Sequence, residues 1–599
     1  MVTNKYITRI ASVIMAAAVI LCLMASLFSD KLQEVYGNNA VTMKYESKLF
    51  STDQIMDIDI LMDEDDWNDM LENAISEEYY SCNVVVNGKT FYSVGIRPKG
   101  NTSLSSIVND PDTDRYSFKL EFDHYIEGQT CYGLDKLILN NNYADATNMK
   151  EAIVYDMYQY LGVDASLYNY AKISVNGDYR GVYLALEAVE DSFMLRNYGT
   201  EDGNLYKPES MGIGGGVDGK DGDGWQMEEK PDGDDFVQKG EMPDGEDFPQ
   251  KREMPDGEDF PQKGEMPDGA DFPQKDEMPD GEDFPQMGEA PNGEAADIKM
   301  GIMGGNGGAD LNYTDDDLDS YSTIWDDEIT DTDKKDHKRV VEALKNISEG
   351  TDLETYMDID NILKYMAVHT FVVNDDSLSG TMAHNYYLYE YNGRLNILPW
   401  DYNLSFGGMS MDGKMGGQSL GATSVINDAI DTPFSITDFF DALLENEEYL
   451  EQYHGYLNEL VEKYVNGGEF EKTYERIRSQ IDDLVGNDPT AFYSYEEYEE
   501  AANMLIEVVQ LRAKSVSGQL AGTIPSTDEG QQQDSSNLID GSDIDLSVMG
   551  SFSGGGGGNE GQGKDNGFAG TLQPFDAGDV SQISEEKADL QDSNQDSVK

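Results

Sequence analysis

The stretch that decides the reading runs from Asn374-Asp375-Asp376 through His384-Asn385-Tyr386-Tyr387-Leu388-Tyr389 to Pro399-Trp400-Asp401-Tyr402-Asn403. The middle segment alternates as a buried strand does, and Leu395, Ile397 and Leu398 precede Pro399 at the end of a second. Two such strands fold back as a hairpin, which carries Asp375 or Asp376 toward Asp401. Phosphoryl transfer needs two carboxylates of this kind. One orients the attacking hydroxyl and the other holds a metal on the phosphates. Asp401 follows a rigid strand and precedes Ser405-Phe406-Gly407-Gly408, a hinge-like turn, which suits a metal ligand above a cleft. His384 is a candidate base, but beside the tyrosines a packed structural histidine is the preferred reading.

Outward from the hairpin the pattern is helical. Val340, Val341, Leu344 and Ile347 form one stripe, Ile362, Tyr365, Met366 and His369 another, and residues 433–520 continue with apolar positions at helical spacing. Residues 46–210 read differently. Asp57-Ile58-Asp59-Ile60 alternates as a strand, Asp63 to Asn73 as a helix entered through acidic residues, and Asn87-Gly88 and Asn176-Gly177 mark hairpin turns. Ser117 to Phe122 places Phe118, Leu120 and Phe122 on one face and Lys119 on the other. Thr147 or Asn148 caps a helix ending at Leu161-Gly162. The expected fold class is therefore α+β: a mainly antiparallel sheet lobe, then a mainly helical lobe.

Two features of the sheet lobe bear on anions. Arg97-Pro98-Lys99-Gly100-Asn101-Thr102-Ser103 ends a strand with a small loop whose glycine lets backbone approach an anion and whose cations neutralise it. Taken alone, the loop is equally an ordinary turn. It is not a GxxxxGK[ST] loop. Lys119 is either an exposed strand lysine or a phosphate contact steadied by a helix glutamate, for which Glu151 is the candidate.

Composition sets the outer limits. The formal charge of −76 argues against nucleic acid and anionic membrane as direct partners and favours basic ones, the alternative being that acidity only keeps a secreted protein soluble. The mean hydropathy of −0.56 and 60 glycines imply long solvated segments. A twelve-residue Pro-Asp-Gly unit recurs from Pro231 to Pro279, with a degraded copy at Pro291. One Phe per copy cannot build a core, so residues 211–320 are expected to be a disordered acidic insertion. Residues 522–599, rich in Gly, Ser, Asp and Gln, are expected to be a disordered tail. Lys5 and Arg9 precede the apolar run Ile10 to Phe28, so residues 1–29 read as a signal peptide or a single membrane anchor, followed by a linker over 30–45. Cys82 and Cys131 are the two cysteines outside that run, and nothing in the sequence pairs them.

The blocks Arg97–Ser103, the Lys119 strand, Asn140 to Gly162, Gly181 to Glu187, Asn204 to Lys207 and, above all, Asn374 to Gly407 resemble the spore-coat protein H (CotH) kinase family in content and order. The resemblance implies an atypical two-lobed kinase-like fold spanning residues 46–210 and 321–521. It implies a Ser/Thr protein kinase using ATP and Mg²⁺ (or Mn²⁺). Carried over by position, Asp376 is the catalytic aspartate, with Asp375 one residue away. Asp401 is the metal ligand, assisted by Asn385. Lys119 binds phosphates with Glu151 as its partner; in the reading built on this, Arg97 or Lys99 helps Lys119 neutralise charge. The family often has a second aspartate after Pro-Trp-Asp, where this chain has Asn403. The expected partner is a basic, Ser-rich protein, and the expected location is outside the membrane: cell surface, medium or spore coat. The competing reading is a non-catalytic acidic surface protein that binds cations, wall polymer or basic proteins.

Overall fold

The computed structural model describes residues 41–208, 307–380, 383–409, 421–434, 436–550 and 552. The N-terminal apolar run, the acidic repeats and most of the expected tail lie outside these residues. Among the described residues, no helix is long and apolar enough to cross a membrane.

Seven strands make the first half: β1 (Met56–Leu61), β2 (Tyr80–Val86), β3 (Lys89–Lys99), β4 (Ser117–Glu121), β5 (Lys136–Asn140), β6 (Tyr168–Val175) and β7 (Asp178–Glu187). The expected antiparallel sheet closes into a barrel in the order β1-β2-β3-β4-β5-β7-β6. It closes through a parallel pairing of β1 with β6, Ile58 opposite Ile173, while every other neighbour is antiparallel. Closure removes the sheet edges. Asn87-Gly88 and Asn176-Gly177 turn the hairpins with positive φ at both residues, as expected for the type I′ turn that matches strand twist. Alternate residues Ile58, Ile60, Val84, Val94, Ile96, Phe118, Leu120, Leu137 and Leu139 fill the interior. Cys82 and Cys131 are both buried there as free thiols.

The helices named below are α1 (Glu64–Glu72), α2 (Lys150–Leu161), α3 (Lys334–Ser348), α4 (Ile359–Val372), α5 (Glu447–Glu459), α6 (Glu469–Val485) and α7 (Tyr495–Leu520). α1 is capped by Asp63, whose side chain accepts from the Asp65 amide. α2 ends at Gly162 in the left-handed conformation, as its sequence predicts. Its entry differs from the expectation: the buried Asp145 carboxylate accepts from the Lys150 amide and from Thr147.

β7 reads as an unbroken apolar run because both of its faces are covered. Tyr183 and Ala185 point into the barrel, while Val182, Leu184 and Leu186 join α2 in the larger core with α3 to α7. The two expected lobes therefore share one hydrophobic core and form one compact unit. A second antiparallel sheet, β10 (Arg394–Pro399), β9 (Tyr386–Tyr391) and β8 (Asn204–Tyr206), carries the predicted hairpin.

Three boundaries move. Residues 41–45, expected within the linker, already pack against the fold: Val41 N donates to Arg196 O at 3.0 Å and Tyr45 is buried. Residues 307–320, expected within the insertion, are structured: Ala309 and Leu311 are buried, and Ala309 O accepts from Tyr386 Oη at 2.6 Å. Residues 522–550, expected within the tail, form a short helix over Asp528–Gln533 and a 3₁₀ turn over Leu546–Met549, with Met549 buried.

Candidate active site

Three chain segments converge beside the barrel mouth. The first is the end of α4. Arg512, buried on α7, donates to the carbonyls of Thr370 and Phe371 and so satisfies the terminal acceptors of the helix. Beyond it the backbone turns sharply, with positive φ at Val373, Ala383 and Asn385. The second is the end of β10, where Asp401 itself has φ +57°. The Phe406 amide, at φ +58° in the following turn, donates to Val372 O at 2.7 Å, which ties that turn to α4. Left-handed backbone at β-branched and bulky residues costs of order 1–3 kcal/mol each and gathers where function overrides local preference. The third segment is Asn140-Asn141-Asn142-Tyr143-Ala144 after β5, followed by α2.

The cleft between them has a volume of about 120 Å³. Lys99, Glu151, Asp376, His384, Asn385 and Asp401 all line it. Asp376 is the member of the acidic pair that faces the cleft; Asp375 is not among the lining residues. Burial, with the adjacent Asp376 charge added, pushes the Asp375 carboxyl up. Asp376 is held at both oxygens: His384 Nε2 lies 2.7 Å from Oδ1, and Asn385 Nδ2 donates to Oδ2 at 2.9 Å and to the Asp376 carbonyl at 2.7 Å. His384, for which packing is the preferred reading from sequence, thus steadies the carboxylate.

Lys99 sits at the last position of β3, where the strand leaves the barrel and enters the cleft. Its Nζ donates to Asn140 Oδ1 at 3.3 Å, and Asn140 Nδ2 donates to Glu151 Oε2 at 2.9 Å, so one asparagine bridges the lysine and the glutamate. Nζ also lies 5.5 Å from the centroid of the Trp400 ring. Burial pushes the Lys99 pKa down, while the Asp401 and Glu151 carboxylates pull it up. Burial, reinforced by the Asp401 charge, pushes Glu151 up. Burial likewise raises Asp401, with Lys99 opposing the rise and Asp376 adding to it.

Lys119 and Arg97 are placed elsewhere. The expected Lys119–Glu151 pair does not form: Lys119 Nζ bonds Glu190 Oε1 at 2.5 Å, and Lys136 shares the same glutamate. Arg97 is ion-paired with Glu77. Both cations stand on the outer face of the barrel, in register with each other on β4 and β3, and neither lines the cleft. Asn403 does line it, but its Nδ2 is committed to Tyr143 O at 2.8 Å.

The donor set can be tested against a divalent cation. Asp376, Asp401 and Glu151 set three carboxylates against Lys99. Glu151 Oε1 and Asn374 Oδ1 are buried with no hydrogen-bond partner, and Asn374 Nδ2 reaches Asp401 O at 3.4 Å. Excess negative charge and orphaned oxygen acceptors fit a hard cation. Among the described residues, no cluster of three or more His, Cys, Asp or Glu forms a ready-made metal cage. Mg²⁺ is commonly held by one or two carboxylates together with substrate phosphates.

Sequence reading missed the Asn140 bridge, the His384 contact and Phe552, which lines the same cleft from far along the chain. The run Asn140-Asn141-Asn142 directly after an apolar strand was the available signal for the first. No curated protein matches the chain. A family model described as CotH kinase protein matches residues 96–260 and 286–516, more than half of the length, and the chain belongs to that family.

Proposed function

We infer that the protein transfers the γ-phosphate of ATP to Ser or Thr hydroxyls of a protein substrate. The observation that carries this reading is the meeting of Lys99, Asp376 and Asp401 in one cleft. Asp376, fixed by His384 and Asn385, orients the substrate hydroxyl and accepts its proton. Lys99 neutralises phosphate charge, with Asn140 and Glu151 setting the position of its ammonium. Asp401, with the side-chain oxygens of Asn374 and Asn385, would hold Mg²⁺ or Mn²⁺. The metal, when bound, supplies charge neutralisation across the phosphates. The backbone strain around these residues supports a preorganised site, which is where most of the rate in this chemistry comes from.

The net charge of −76 supports a basic, Ser-rich protein as substrate. The apolar run after Lys5 and Arg9 supports export, with the protein at the cell surface, in the medium or on a spore coat. The test is transfer of labelled phosphate from ATP to a basic Ser-rich peptide with Mg²⁺ or Mn²⁺. Asp401→Asn, which keeps a residue type that tolerates φ +57°, should lose at least about 100-fold in transfer rate. It should melt no lower than wild type, because a buried carboxylate has been removed. Absence of transfer from wild type under either metal would leave the acidic-scaffold reading in its place.

A further inference from the structure

Residues 536–550 and Phe552 lie beyond the family match, which ends at 516, yet they run to the candidate active site. The segment is pinned first on the helical side. Ile539 N donates to Asn427 Oδ1 at 2.9 Å, Asn427 Nδ2 returns a bond to Ile539 O at 2.8 Å, and Gly541 N donates to Thr423 Oγ1 at 3.0 Å. Ile544 and Leu546 then pack against the large core, and Met549 is buried in it. At its end the segment touches two walls of the cleft at once. On the α2 side, Ala146 N donates to Met549 O at 3.1 Å, and the fully buried Lys150 ammonium donates to Gly550 O at 3.3 Å. Gly550 has φ +82°, and a Cβ there would lie 2.6 Å from Ala144 O, so close approach excludes a side chain. On the Asp401 side, Phe552 N donates to Gly408 O at 3.0 Å and forms a parallel bridge with Met409.

The cleft has two chemically different ends. Lys99, Asp376 and Asp401 supply charge; Tyr143, Leu404, Met409 and Phe552 supply apolar surface, with the Tyr143 and Phe552 rings 6.4 Å apart. A nucleoside triphosphate divides in the same way, into an anionic tail and a flat base with an apolar face. We propose that residues 536–550 and Phe552 form a strap that completes the nucleotide site, and that Phe552 is the wall against which the purine base packs. This rests on the kinase reading above. It adds that binding of the base depends on a segment outside the family-matched region.

The test is calorimetric binding of two probes to the full chain, MgATP and magnesium tripolyphosphate, which has the phosphates without the base. Phe552→Ala should weaken MgATP about tenfold, the loss expected for one base–aromatic stack. It should leave tripolyphosphate within about twofold, and Phe552→Tyr should restore MgATP binding. A chain ending at Asp534 should lose MgATP binding at least as severely as Phe552→Ala, and a chain ending at Ser553 should bind as the full chain does. Should the Asp534 truncation fail to fold, the point variants still decide. Unchanged MgATP binding by Phe552→Ala overturns the inference, as does an equal loss for both probes, which would make Phe552 a structural prop. If the wild-type chain binds neither probe, the kinase reading falls and takes this inference with it.

Discussion

Lys99 and Lys119 separate what a residue's neighbours reveal from what its strand's position decides. Alternation correctly put Lys119 opposite Phe118 and Leu120, which are buried inside the barrel. Alternation cannot say what covers the outer face, and there Lys119 meets Glu190 rather than Glu151. Lys99 ends its strand, so it leaves the barrel and enters the cleft. Lys99→Met should therefore cut transfer from ATP by at least about 100-fold, as loss of a charge contact to the reacting phosphates does. Lys119→Met should stay within about threefold, since Lys119 lies outside the cleft, in a half-buried ion pair with Glu190. Steady-state kinetics of the two purified variants decides it; equal losses would return Lys119 to the site. Asp376 and Asp401 were legible because their hairpin is local in sequence. Glu151 was legible as a helix-entry carboxylate, but its link to Lys99 was not, because the bridge runs through Asn140.

Among the elements, the hairpins and the long helices were readable from turn chemistry and period. The barrel was not, because its closing pair, β1 with β6, joins distant segments in parallel with no turn between them. α4 shows how an apolar stripe can hide a polar chain. Its His369 is fully enclosed, with Nδ1 2.9 Å from Tyr402 Oη and Nε2 2.9 Å from Ser379 Oγ, and Tyr402 Oη lies 2.5 Å from Tyr158 Oη. These contacts connect α4, α2 and the residue after Asp401. Burial alone lowers the His369 pKa to about 3. An unfolded histidine takes up its proton near pH 6.5, whereas the folded one stays neutral to far lower pH. Protons thus bind preferentially to the unfolded chain. The stability that His369 confers is complete above about pH 6.5 and is lost as pH falls toward 3, at up to about 1.4 kcal/mol per pH unit. His369→Gln should be less stable than wild type at pH 7, but its stability should fall less steeply between about pH 6 and 4. Urea unfolding at a series of pH values measures both slopes, and parallel slopes would refute the assignment.

At the scale of the molecule, the question is what fixes the barrel against the helices, since the cleft draws residues from both. The shared apolar core supplies most of the contact, but apolar surface is not directional. Direction comes from Arg115, on the barrel side, and Asp488, in the loop between α6 and α7. Their side chains are each 2% exposed and 2.7 Å apart. Arg115 also donates to Asn141 O at 3.0 Å, Val182 O at 2.6 Å and Thr490 Oγ1 at 2.8 Å, and lies 4.6 Å from the Tyr183 ring centroid. Asp488 in turn accepts from the amides of Val182 and Thr490. Because Arg115 holds Asn141, the pair also sets the Asn140–Asn142 wall of the cleft. Breaking a buried pair from one side leaves an uncompensated charge and costs about 3–5 kcal/mol, whereas replacing both partners by apolar residues of similar volume is often close to neutral. Arg115→Met should therefore destabilise by about 3–5 kcal/mol, and Arg115→Met with Asp488→Leu should recover most of that loss in guanidinium unfolding. The double variant, refolded but without the Arg115 bond to Asn141, should still bind MgATP more weakly than wild type. Full recovery of both stability and binding would mean that the apolar core alone orients the cleft.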